Sequence, residues 1–76
     1  MKKEITDKQH RELLDLGYAG GNRIADLIEF LGDDLMDMSN ELGNWWITHD
    51  DKLIHTEKLE LVDALWAAVK YKLKNL

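Results

Sequence analysis

The sequence predicts a small α+β domain: two short helices, a small antiparallel hairpin and a long amphipathic helix at the C-terminal end. Three observations carry that reading. Val62, Trp66, Val69, Leu73 and Leu76 recur three or four residues apart, so they share one helical face, which Leu59 and Leu65 widen into a core-facing stripe. Ile24, Leu27, Ile28 and Leu31 repeat that spacing in a shorter segment ended by Gly32. Between the two, Trp45-Trp46-Ile47-Thr48 is composed of residue types that favour a pleated strand. An all-α domain is the alternative fold.

Each element has its own local signals. Thr6 and Gln9 form a T-x-x-Q capping box, in which each side chain satisfies an amide of the other residue, so the first helix is expected from Asp7 to Leu16 with Gly17 as its left-handed stop. Leu13, Leu14 and Leu16 are its apolar residues. Tyr18-Ala19-Gly20-Gly21-Asn22 reads as a loop, and Asn22 is a suitable cap for the second helix. The first two helices are expected to form an αα-hairpin. Residues 33–42 are ambiguous. Leu35, Met36, Met38 and Leu42 fit a short helix begun by Asp33 and stopped by Gly43, whereas Met36 and Met38 alternating about Asp37 fit a strand. The hairpin is expected to pair Trp45–Thr48 with Lys52–His55 across Asp50-Asp51. Thr56 is expected to cap a final helix over residues 57–76, with Glu57 and Glu60 at its positive end and Lys70, Lys72 and Lys74 at its negative end. Leu13, Ile24, Leu27, Ile28, Leu31, Val62, Leu65, Trp66, Val69 and Leu73 should supply most of the core.

Composition narrows what such a chain can do. The 76 residues make one domain, 1–76. A domain this small buries only about 60% of the surface its unfolded chain exposes, so packing must be efficient or shared with a partner. There is no cysteine, which removes disulfides and thiolate metal sites and fits a cytoplasmic protein. Met1-Lys2-Lys3-Glu4 leads into charged sequence without the apolar core of a secretory signal, and no run is long and apolar enough for a membrane span. Three tryptophans offer large aromatic anchors.

Charge is unevenly spread. The net charge is −5, and from Asp26 to Asp51 there are eight acidic residues without a single Lys or Arg. That stretch repels the phosphates of nucleic acids and attracts basic partners.

The constellations that could carry chemistry are weak. His49-Asp50-Asp51-x-x-x-His55 contains metal-ligand types but matches no established metal-site spacing, and in a hairpin the two aspartates are turn residues. His10 reads as a surface residue of the first helix. Asp33, Asp34 and Asp37 could support acid–base work only if one were desolvated, and their place after a helix stop argues for solvent. The Gly17-Tyr-Ala-Gly20-Gly21-Asn-Arg23 segment resembles an anion cradle in composition but not in spacing. A helix-turn-helix over residues 7–31 would offer the DNA a second helix bearing Asp26 and Glu29. Ser39 is the only serine, and no nucleophile–base set can be assembled. No cofactor is implied, and the chain is expected to be non-enzymatic.

Asp26-Leu-Ile-Glu-Phe-Leu-Gly32 and Glu60-Leu-Val-Asp-Ala-Leu-Trp-Ala-Ala-Val-Lys-Tyr-Lys-Leu73 resemble segments of small uncharacterised proteins of bacterial prophages and mobile elements. The resemblance implies a small bacterial or phage accessory protein and assigns no activity. The functional expectation is a protein-interaction module whose surface combines Trp45 or Trp46 with Asp33, Asp34, Asp37, Asp50 and Asp51. Its sharper form is an acidic surface that mimics nucleic acid and occupies the basic groove of a nucleic-acid-handling protein. A homodimer through the last helix and a divalent-metal enzyme using His49, Asp50 and His55 are the alternatives.

Overall fold

The computed structural model describes residues 3–49, 52–55 and 60–75. Helix α1 (Asp7–Asp15) and helix α2 (Ile24–Leu31) are followed by a single 3-10 turn over Gly32–Asp34, then strands β1 (Leu35–Glu41), β2 (Asn44–His49) and β3 (Lys52–His55), and finally helix α3 (Leu61–Lys74). The chain is an α+β domain in which one helical layer covers one face of an antiparallel sheet of order β1-β2-β3.

The capping box forms as its sequence dictates. Thr6 Oγ1 accepts from Gln9 N–H at 3.1 Å, and Gln9 Oε1 accepts from Thr6 N–H at 2.9 Å. Gly17, at φ 104, lets the chain turn sharply after α1 and return at once to the core, so that Tyr18 N–H donates to Leu13 O at 2.9 Å. The second helix begins one residue later than Asn22 allows. Arg23 is its N-cap, and Asp26 reaches back to accept the Arg23 N–H at 3.2 Å. Asn22 instead gives its carbonyl to Ile5 N–H at 2.9 Å, which ties the N-terminal segment to the entry of α2.

Residues 35–41 are a strand, settling the ambiguity against a third helix. Gly32, at φ 61 and ψ −147, breaks the α2 geometry, and Leu35 is extended. The strand pairs with β2 from Leu35–His49 to Glu41–Asn44, with a bulge between Leu35 and Asp37. The sheet therefore has three strands, where the sequence pointed to a hairpin of two. The predicted β2–β3 pairing is present, with His49 opposite Lys52 and Trp46 opposite His55. Asp50 and Asp51, assigned to the turn, lie outside the described residues, as do Thr56, Glu57, Leu59 and Leu76. The last helix begins at Leu61, after an extended Glu60.

Helix α3 packs on α1, α2 and β2, so its stripe is the centre of the core. Val62, Leu65, Val69 and Leu73 are buried with Leu13, Leu27, Leu31 and Ile47, while Ile24, Ile28 and Trp66 pack at the margin. Ile5, Tyr18, Ile47, Ala64 and Ala68 join the core without having been anticipated there. The two alanines leave room for close approach to α3, and Tyr18 enters from the loop, its ring edge-on to Phe30 at 5.1 Å between centroids.

Polar contacts orient the helices. Trp66 Nε1–H donates to Gln9 O at 3.1 Å, and Gln9 Nε2–H to Asp63 Oδ1 at 3.0 Å, joining α1 to α3. Lys72 donates from Nζ to the Phe30 carbonyl at 3.0 Å, supplying α2 with a cation at its carbonyl end. The lysines of α3 thus serve more than their own helix.

Candidate protein-interaction surface

The sheet separates two faces with different chemistry. Ile47, at the centre of β2, is wholly buried beneath α3, so its face is the inner one. Side chains alternate along a strand and directly paired residues share a face. Trp45 and His49 therefore point inward with Ile47, and so do their partners Met38 and Ile54. Trp46 and Thr48 point outward, together with Asp37, Ser39 and Glu41 on β1 and Leu53 on β3.

This alternation divides the tryptophan pair. Trp45 is half-buried against the core cluster. Trp46 is half-buried on the outer face, where Leu53 is 63% exposed. Met36, in the bulge of β1, is 60% exposed, and Asp37 and Glu41 are exposed beside it. The outer face thus carries Trp46 on the central strand and Leu53 on the β3 edge, with acids along the β1 edge.

The predicted site residues are only partly gathered here. Trp46 and Asp37 share the outer face. Trp45 belongs to the inner one. Asp33 is exposed in the 3-10 turn before β1, Asp34 lies in the same turn, and Asp50 and Asp51 fall outside the described residues. The alternation of strands accounts for the loss of Trp45, since adjacent residues cannot serve one face. Sequence reasoning missed Leu53 and Glu41. The β2–β3 register supplies the signal for Leu53, because Thr48 and Leu53 are opposite each other.

His49 has a structural place. It is buried to 5% exposure on the inner face, and its Nε2 makes no hydrogen bond. Among the described residues no group of three His, Asp or Glu is disposed to hold a metal ion. His10 is not simply a surface residue, because its Nε2 lies 2.9 Å from Gly20 O and pins the glycine loop.

That loop does not cradle an anion. A concavity of about 350 Å³ beside it is lined, among the described residues, by Gly17, Ala19, Gly20, Gly21, Asp26, Glu29 and Phe30, whose charged members are carboxylates. The glycines are explained by packing: a side chain at Gly20 would strike the Tyr18 ring, and one at Gly21 the Asp26 carboxylate. Tyr18 Oη–H donates to Gly21 O at 2.7 Å. Burial, then the nearby charges of Asp26 and Glu29, push the Tyr18 phenol above its ordinary pKa, which keeps it protonated as a donor.

No helix among the described residues is long and apolar enough to cross a membrane. Comparison with protein-family models, with curated proteins and with solved structures finds no match to this chain.

Proposed function

We propose that this protein is a non-enzymatic interaction module that docks a basic protein through the outer face of its sheet. The observation that carries the reading is the one-sided architecture. The helical layer packs on the inner face, and the outer face presents Trp46 and Leu53 next to Asp37 and Glu41. An aromatic anchor bordered by exposed apolar area and a charged margin is the usual composition of a binding patch.

Charge selects the partner. The acid-only stretch from Asp26 to Asp51 contains β1 and β2, so the face carries no Lys or Arg from those strands. A cationic protein surface complements it, and the groove of a nucleic-acid-handling protein is a particular case in which the carboxylates stand in for phosphates. An accessory or inhibitory role in a bacterial or phage setting, with action in the cytoplasm, is part of the same proposal.

The apolar stripe of α3, through which the alternative homodimer would form, lies within the core. The sheet face is therefore the better candidate surface.

The test is capture of a partner from bacterial lysate, followed by affinity measurement with the purified partner. Trp46→Ala is expected to weaken binding at least about tenfold, given hot-spot losses on the order of 2 kcal/mol. Asp37→Asn with Glu41→Gln should flatten the salt dependence of binding. Affinity unchanged by Trp46→Ala and insensitive to salt would contradict the reading.

A further inference from the structure

The tip of the β1–β2 hairpin combines two features that local chemistry disfavours. Leu42, at φ 52, precedes Gly43, at φ 86, in a two-residue turn closed by the Glu41–Asn44 pair. Positive φ at both central residues marks a type I′ turn, which suits the twist of an antiparallel ribbon and favours Asn, Asp or Gly at its first central position. A leucine there crowds its Cβ against the following carbonyl and offers no local hydrogen bond in return. Leu42 is also fully exposed, so no packing within the chain offsets that strain. An apolar side chain held in an unfavourable conformation, and unused by its own fold, points to a use outside it.

We propose that Leu42 is an anchor that inserts into an apolar pocket on a partner protein, a pocket rimmed by Lys or Arg side chains. The inference rests on the interaction reading above and adds which side chain is buried and what receives it. A two-residue turn is the narrowest end a hairpin can present, so its side chain can enter a recess that the sheet face cannot. The rim chemistry follows from the neighbours. Glu41 is exposed immediately before the tip, Asp37 lies further along the same strand, and residues 26–51 contain no Lys or Arg. The same acids disfavour an anionic membrane surface and a nucleic acid. The concavity beside the glycine loop does not suit the tip of a second copy, because the described residues wall it with Asp26 and Glu29, which repel the acids next to Leu42.

Leu42→Asn is the informative variant, because asparagine suits the turn and the protein stays folded. Two readouts test it. In a thermal melt the variant should rise in Tm by roughly 4 °C or more, as strain is relieved in a domain of this size. A fall in Tm would mean that Leu42 supports the fold, and would overturn the proposal.

The second readout is a methyl NMR titration with fully aminated β-cyclodextrin, whose apolar cavity is ringed by ammonium groups. Shifts should centre on the Leu42 methyls, weaken about tenfold or more in Leu42→Asn, and persist when Trp46→Ala and Leu53→Ser are combined. Neutral β-cyclodextrin should bind more weakly than the aminated form. Binding lost only in the Trp46→Ala, Leu53→Ser protein would sink the anchor and leave the docking face standing. Binding indifferent to every variant, or absent from the parent protein, would sink the anchor. Self-association of the parent that disappears in Leu42→Asn would assign the pocket to a second copy and overturn the choice of partner.

Discussion

At the residue scale, the inner face of β2 contains a group that the core does not satisfy. His49 is buried, yet its Nε2 makes no hydrogen bond, and a buried polar atom without a partner costs about 1–3 kcal/mol. His49→Leu, which removes that atom at similar volume, should raise stability by about 1 kcal/mol in urea unfolding. A loss of stability would show that the imidazole is doing something an apolar side chain cannot replace. Tyr18 gives a pH-dependent counterpart. Its phenol has a folded-state pKa above the ordinary value of 10.0, raised first by burial and then by Asp26 and Glu29. The neutral phenol is therefore favoured in the folded state. Its contribution to stability is fully present below pH 10.0 and is lost as pH climbs through the folded-state value. Tyr18→Phe should remove that part of the alkaline decline, measured by unfolding at a series of pH values, and an unchanged decline would contradict the assignment. Some of this was legible in the sequence and some was not. Adjacency alone required Trp45 and Trp46 to face opposite ways, but which one faced outward depended on the register with α3. The burial of Tyr18 was hidden because it follows Gly17 in a glycine-rich segment, and only the sharp reversal at that glycine brings the ring back to the core.

At the element scale, the helices were legible because their signals are local. The Thr6–Gln9 box and the spacing of Ile24, Leu27, Ile28 and Leu31 each act within a few residues, and both are present in the fold. Thr6→Ala should lower stability by about 1 kcal/mol, since it leaves the Gln9 amide without its acceptor. An unchanged unfolding midpoint would mean that α1 is held by its contacts with α3 alone. Strand β1 was only half legible: Met36 and Met38 alternate about Asp37, but the same segment also fits a short helix, and the strand contains a bulge. What makes it a strand is non-local: β2 offers it a full ladder from His49 to Asn44. The start of α3 was also displaced, since Glu60 is extended and the helix begins at Leu61. The role of Lys72 shows the same limit. Its charge at the end of α3 was apparent, whereas its donation to the last carbonyls of α2 required the packing of one helix on the other.

At the scale of the whole molecule, a single helical layer leaves the sheet with one face in the core and one outside it. That division is set by α3, whose stripe is broad enough to serve α1, α2 and β2 together. Helix α3 packs on the central strand, and the strand pairing sets Trp46, Leu53 and the acids of β1 in register on the outer face. The most direct test of this face as the binding surface is site-specific photocross-linking in bacterial cells. A benzoylphenylalanine at position 53, on the outer face, is compared with one at position 15, exposed at the end of α1. The prediction is a discrete cross-link to a basic protein from position 53 and none from position 15. A cross-link to the same partner from position 15 with none from position 53 would place the interface on the helical layer and contradict the account.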